Sequence, residues 1–289
     1  MIKRIVKILI FILGNPLVKN ERFQAFWRYL KFHILFKNGE LSIIPFIKGK
    51  LILKKGAGSQ ANYYTYLQDF EEMLFLLHYL NENDQFIDIG ANIGTYSILA
   101  SKLTNCLSIA FEPSLNNFNI LSANISLNNL KDKIKLYNIA LGSKNEMQTI
   151  GFKGELTYIT SNKDLSLQNV NVKQLDTILD YANLIKIDVE GYEENVLKGA
   201  IKILKNKKTN ALIVEFAGYN RYGSSNKKVH DLLIKNNFNP IKYSPYNRSF
   251  IKLKNFRQDK INTIYIRDFK LAMDRIIHSA KYKIGNQFI

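Results

Sequence analysis

The stretch Phe86-Ile-Asp88-Ile-Gly90-Ala-Asn92-Ile-Gly94-Thr-Tyr-Ser97 reads as a strand that runs into a glycine turn and then opens a helix. Glycines at such a junction allow a tight turn and let backbone N–H groups of the helix start approach a ligand. The spacing Gly90-x-x-x-Gly94 is not the G-x-G-x-x-G fingerprint of a dinucleotide site, and Asp88 at the strand end would repel a pyrophosphate. A carboxylate beside a glycine turn suits a cation instead. S-adenosyl-L-methionine, with its ammonium and sulfonium, is the adenosine cofactor that this charge pattern favours.

The next apolar run ends Ala110-Phe111-Glu112-Pro113, so that Glu112 follows Asp88 by 24 residues. In a right-handed βαβ unit this second carboxylate lands at the carboxyl edge of the neighbouring strand, where it can accept both hydroxyls of a ribose. Further short apolar runs at Ile134–Asn138, Leu184–Asp188 and Ala211–Phe216, separated by helical stretches, extend the alternation to five buried strands. That pattern predicts an α/β fold with a mostly parallel sheet covered by helices on both faces. Upstream, Phe70, Met73, Leu74, Leu77 and Leu80 recur at helical spacing over Asp69–Leu80. Downstream, Phe238–Tyr243 and Asn262–Arg267 suit an antiparallel pair at the sheet edge, followed by a basic helix near Asp268–Lys283.

With these residues in place the chain resembles the FkbM family of S-adenosylmethionine-dependent methyltransferases. The likeness runs from Asp88 to Ser97 and through Phe111-Glu-Pro113, Ala140-Leu-Gly142 and Leu175-Asp176. It continues through Ile185-Lys-Ile-Asp-Val-Glu-Gly191 with Glu194 to Val214-Glu215, and so covers roughly residues 70–217. The resemblance implies a class I methyltransferase (Rossmann-like) fold with a seven-stranded sheet, and O-methylation of a hydroxyl, often on sugars of cell-surface glycans. Together with the motif reading it makes Asp88, Gly90, Ala91, Asn92, Gly94, Tyr96, Ser97, Glu112, Pro113 and Asp188 the candidate cofactor-binding residues.

Methyl transfer is an in-line displacement in which the protein aligns an acceptor oxygen and helps to remove its proton. Asp188 ends the strand that should neighbour the first one, Glu190 follows two residues on, and Glu215 ends the next strand. These three carboxylates should meet at the ligand edge and are the candidate catalytic residues. Three roles stay open for them: base or orienter of acceptor hydroxyls, contact with the cofactor or with the turn at Gly191, and ligation of a divalent cation. No metal site is assigned. Lys186 shares a strand face with Asp188 and can pair with one of the acids. Of the four histidines only His230, opening a helix after the loop 217–223, is considered as a base. That loop offers Tyr219, Asn220, Arg221 and Tyr222 as sugar contacts.

The composition bounds these readings. A chain of 289 residues, 46% hydrophobic and 22% charged, is folded and too polar for a membrane bundle. The single Cys106 excludes a disulfide framework and a thiolate zinc cluster. The net charge of +17 divides into +10 over residues 1–60, −4 over 61–220 and +11 over 221–289. The catalytic middle is thus mildly acidic, and of the 41 basic residues 33 are Lys, so the guanidinium forks that grip nucleic acid are few. No nucleic acid is expected as a partner.

The division expected is a basic, aromatic N-terminal helical arm over 1–60, a cofactor-binding core over 61–217, and edge strands with a basic helix over 218–289 completing the same domain. Within the arm, residues 1–13 read as a short helix too brief to span a bilayer, with no cleavage site after it. A second helix is expected from Asn20 to Gly39, with Phe23, Phe26, Trp27, Leu30 and Ile34 as its apolar stripe. Packing on the main domain and contact with an anionic membrane are both open for this arm. The functional expectation is a methyltransferase acting on a sugar hydroxyl of a cell-surface glycan or its precursor. It would be cytoplasmic or peripheral at the inner membrane face. The alternatives are O-methylation of a lipid or secondary metabolite and, further off, a nucleic-acid methyltransferase.

Overall fold

The computed structural model describes residues 2–37, 39–55, 58–153, 156–159, 166–216 and 222–289. Among these, the main sheet has eight strands, in the order Ser249–Lys252, Asn239–Ser244, Asn262–Ile266, Ala211–Glu215, Leu184–Ile187, Gln85–Ile89, Leu107–Phe111 and Ile134–Tyr137. The five runs read as buried strands are all present and mutually parallel, and Asn262–Ile266 lies antiparallel to both of its neighbours. This is the class I methyltransferase arrangement with one strand added at the edge.

Alternation along the strands explains how the sheet holds its two helical layers. Phe86, Ala110, Leu184, Ala211 and Ile213 face one core, which the helices Phe70–Tyr79, Thr95–Thr104, Leu115–Leu127 and Phe269–His278 complete. Ile87, Ile89, Ile185, Ile187, Leu212 and Val214 face the other, closed by Glu193–Lys198, Ile201–Lys205 and Asn226–Lys235. With both faces covered, the strands carry mostly apolar runs, which makes them readable.

The differences from the sequence reading lie outside that sheet centre. The added strand Ser249–Lys252 pairs with Asn239–Ser244; it is four residues long and half exposed, so its sequence lacks a burial signal. The C-terminal helix stops at His278 rather than Lys283, because the chain turns extended at Ser279 and forms the small hairpin Lys283–Ile284 with Gln287–Phe288. The second N-terminal helix is Arg22–Leu35, shorter than expected at both ends. Its buried face is Ala25, Tyr29 and Phe32, whereas Phe23, Trp27 and Ile34 of the expected stripe face outward. The stripe was chosen for apolarity alone, yet the inner face needs Tyr29 against Tyr64 and Phe32 against Tyr63. The arm also ends in a hairpin, Leu41–Phe46 with Gly49–Lys54, where only helix was expected. A second sheet, ordered Ala140–Leu141, Ser166–Lys173, Glu146–Lys153, Leu156–Ile159, was not anticipated either.

The hairpin is held to the core by side chains that imitate a strand. Asn124 accepts from the Ile52 N–H at 2.5 Å and donates to the Ile52 carbonyl at 2.9 Å and the Ile93 carbonyl at 2.9 Å. One turn later Asn128 repeats the pattern on Lys50, at 3.1 and 2.7 Å. The carboxamide carries a carbonyl acceptor and an N–H donor side by side, as a peptide does. Asn124→Ala strips three buried partners, and chemical denaturation should show a loss of about 2–3 kcal/mol; an unchanged midpoint would contradict the role of this ladder.

Candidate functional site

At the carboxyl ends of the central strands a cavity opens that is lined by Ile89, Gly90, Asn92, Phe111, Glu112 and Pro113 on one side. Asp188, Val189, Glu190, Tyr192 and Glu215 form the other, and Ile139, Ala140, Leu141, Ile150, Asn117 and Tyr222 complete the rim. Register brings these groups together: Ile89 is paired with Phe111 and with Ile187, so the residues after each strand emerge at one level. Gly90 follows at φ 77°, and a Cβ there would sit 1.8 Å from the Asp188 carbonyl oxygen. Only glycine lets the first turn pass this close to its neighbour strand.

Glu112 is buried, and both its oxygens accept backbone N–H groups, from Asn92 at 2.8 Å and Ser114 at 2.9 Å. Desolvation nonetheless pushes its carboxyl up to about 7, against the pull of those N–H donors. The side chain is fixed in direction at the cavity wall. Asn138 fastens the same corner by donating to the Glu112 and Pro113 carbonyls. Sequence reasoning passed over it as a strand end.

Asp88 has a different place from that expected. It does not line the cavity; its Oδ2 accepts from the Ser97 N–H at 3.1 Å and the Ser97 hydroxyl at 2.6 Å. Gly94, which precedes the helix, has no side chain to cap it, and Asp88 caps it from the strand instead. Its other oxygen, Oδ1, is buried without a hydrogen-bond partner among the described residues. Ala91, Gly94, Tyr96 and Ser97 also stand behind the wall, whereas Gly90, Asn92, Glu112, Pro113, Asp188, Glu190 and Glu215 reach the cavity.

Behind the three-carboxylate edge lies Lys186, buried and directly opposite Asp88 in the sheet register. Its ammonium bonds Asp188 at 2.7 Å and sits 4.7 Å from the centre of the Tyr96 ring. Tyr96 in turn donates to Asp69 at 2.9 Å. Burial alone would depress the ammonium, but Asp188 and Asp88 more than reverse this and keep it charged. For Asp188, burial opposes ionisation, yet Lys186 and a hydrogen bond from Glu215 hold its carboxyl below the usual range. Glu215 goes the other way: desolvation and the Asp188 charge drive its carboxyl well up, so it carries the proton of the pair.

Asp188, Glu190 and Glu215 can bring one oxygen each within 4.8 Å of one another, a spacing that can also hold a divalent cation. Glu190 occupies the left-handed region at φ 55°, a strained conformation that the Glu193 carboxylate holds by accepting from Val189 and Gly191. Among the residues sequence reasoning missed, Tyr192 and Ile150 close the outer wall, and Gln148 donates to the Tyr192 hydroxyl at 3.3 Å. The alternation of Val170 and Val172 with polar neighbours was the available signal for the sheet that carries Ile150.

His230, considered as a base, is not at the cavity; its Nδ1 lies 2.9 Å from the Tyr265 hydroxyl on the covered face. Of the proposed sugar-contact loop, Tyr222 lines the cavity and meets Tyr192 edge to face, while Tyr219, Asn220 and Arg221 fall outside the described residues.

The described lining holds four carboxyl groups and no Lys or Arg, which fits a cationic adenosyl donor and disfavours a diphosphate. The fit depends on Lys186 holding the acids in place. Lys186→Met removes the only buried cation bonded to Asp188 among the described residues, and the folded state should lose about 3 kcal/mol. This is the lower end for a broken buried pair, because the Asp188 side chain is 34% exposed. Urea denaturation measures it, and a loss below about 1 kcal/mol would show the pair to be weak like a surface pair.

Comparison with known proteins places the chain among methyltransferases. Over 152 residues the chain is 28% identical to "Hexuronic acid methyltransferase AglP" of Haloferax volcanii, a match that takes in 48% of this chain and 59% of that protein. The chain thus matches less than two thirds of that relative's length. Among solved structures, TYW2 of Pyrococcus horikoshii in complex with MeSAdo is 12% identical, with a TM-score of 0.45 over 87% of this chain and 83% of that one. TYW2 of M. jannaschii in complex with AdoMet is 15% identical, with a TM-score of 0.42 over 81% and 90%. At these scores the fold assignment rests on strand order. The family model of the methyltransferase FkbM domain matches residues 88–240, more than half of the chain, and the chain belongs to that family.

Proposed function

We propose that this protein transfers the methyl group of S-adenosyl-L-methionine to a hydroxyl of a sugar in a glycan or glycan precursor. The observation that carries the reading is the division of the cavity's acids. Glu112 stands alone on the side of the glycine turn, and Asp188, Glu190 and Glu215 cluster on the side of the outer wall. Tyr192 and Tyr222, edge to face at 5.2 Å, add aromatic surface of the kind that stacks on a pyranose beside the cluster. The relative named for a hexuronic acid supports a carbohydrate acceptor.

When bound, the cofactor supplies an electrophilic methyl carbon on a sulfonium leaving group. Glu112 receives the ribose hydroxyls, and Asn92 and Ser114 keep its carboxylate aimed while they do so. Asp188, ionised beside Lys186, accepts a hydrogen bond from the acceptor hydroxyl and turns its oxygen lone pair toward the methyl carbon. This carboxylate edge would take up the proton that the acceptor hydroxyl releases on methylation. Glu215 keeps its own proton and shares it with Asp188, so that this pair presents one negative charge rather than two. The same three carboxylates support a second reading in which a divalent cation orients the acceptor hydroxyls. Dialysis against EDTA followed by Mg²⁺ separates the two: activity that survives chelation favours direct contact.

Titration with S-adenosylhomocysteine tests the cofactor side. Glu112→Gln should weaken binding by about tenfold or more, as removal of a charged hydrogen-bond acceptor does. Folding raises this carboxyl from 4.5 to about 7, so its contribution to stability is full below pH 4.5 and is lost as the pH rises through 7. A ligand that donates to the carboxylate favours the ionised form; affinity should therefore climb with pH through about 7, and this slope should vanish in Glu112→Gln. A flat profile in the unaltered protein would contradict the assignment.

On the acceptor side, Asp188→Asn should lower kcat by about 100-fold or more with S-adenosylhomocysteine affinity changed far less. Equal losses in both would place Asp188 with the cofactor.

A further inference from the structure

We propose that the outward face of the helix Arg22–Leu35 is a docking surface for an anionic lipid membrane. Phe23, Trp27 and Ile34 recur at helical spacing on the side opposite the buried Ala25, Tyr29 and Phe32. They are 69%, 52% and 76% exposed, and Leu35 beside them is 59% exposed. Three large apolar side chains on one open helix face, with Leu35 exposed at its flank, exceed the scattered exposure that any surface shows. The rings of Phe23 and Trp27 meet edge to face at 6.0 Å, so the patch is a formed surface.

Charge selects the occupant. Exposed Lys19, Arg22, Lys31 and Lys37 surround the stripe. The sole acid among residues 1–36, Glu21, is buried and turned inward to Arg28 and Asn286. Arg28 itself is spent on the Tyr64 carbonyl and the Tyr66 ring. At the far end exposed Glu40 accepts from the Lys37 N–H at 2.8 Å, and the rest of the outer side is apolar and cationic, the chemistry of a helix lying in an anionic interface. Its aromatic rings would sit at headgroup depth, and its lysine stems would reach past them to phosphate. A second copy of the chain would bring the same cations against themselves. The helix has 14 residues, short of the roughly 20 needed to cross a bilayer, and no described helix is long and apolar enough to do so. It lies on the membrane.

Trp27 is the only tryptophan, so its fluorescence reports on this face directly. The full chain is mixed with vesicles of phosphatidylcholine alone, or of phosphatidylcholine with phosphatidylglycerol. The expected result is a blue shift and co-sedimentation with the anionic vesicles, reduced by added salt. The double variants Phe23→Ser/Ile34→Ser and Arg22→Glu/Lys31→Glu should each weaken binding by about tenfold or more, since apolar burial and charge both contribute. Both should keep their circular dichroism and S-adenosylhomocysteine affinity. Absence of a shift and of sedimentation in the unaltered protein overturns the proposal. So does a dimer, seen by light scattering, that Phe23→Ser/Ile34→Ser dissolves while vesicle binding persists.

Discussion

The buried ammonium of Lys186 is the constraint on which the site depends. An acidic edge is what a cationic donor and a hydroxyl acceptor require, but carboxylates gathered at low dielectric repel one another and resist ionisation. Lys186 lies on the central strand with Asp88 across the register on one side and Asp188 two residues on, and its charge serves both. The strand that follows supplies Glu215, which relieves the remaining repulsion by holding a proton. The polarity of the cavity is set from beneath by one residue that never reaches it.

The scaffold converts this electrostatic arrangement into direction. Parallel register ends adjacent strands at one level, and the turns that follow are each fixed by a different device. Gly90 passes under the Asp188 carbonyl, Glu112 is pinned by two N–H groups, and Glu193 holds the strained Glu190 in place. The helices behind the sheet answer the same need: Asp88 caps the helix whose own cap residue, Gly94, has no side chain to offer. An acid that a motif reading assigns to the ligand thus works one layer further in.

The sequence disclosed the sheet centre and the cavity's acids because both follow from short-range rules. Strands buried on two faces are mostly apolar runs whose ends align, and that alignment brings Asp188, Glu190, Glu215 and Glu112 to one edge. Long-range choices were not disclosed. Whether Phe23 or Tyr29 faces inward depends on Tyr64, 35 residues beyond Tyr29, and the hairpin at Leu41–Phe46 exists because Asn124 and Asn128 receive its partner strand. The strand carrying Ile150 belongs to a separate sheet, in which Ile150 itself pairs with Gln168, 18 residues on. Spacing fixes a strand end but not where its carboxylate points, and that of Asp88 turns to Ser97.

A crystal structure of the full chain with S-adenosylhomocysteine bound tests the central claim most directly. The account predicts ribose hydroxyls within hydrogen-bonding distance of the Glu112 carboxylate and the thioether sulfur facing the Asp188–Glu190–Glu215 edge. The ligand seated elsewhere, or the adenosine reversed with its ribose toward Glu215, would contradict it.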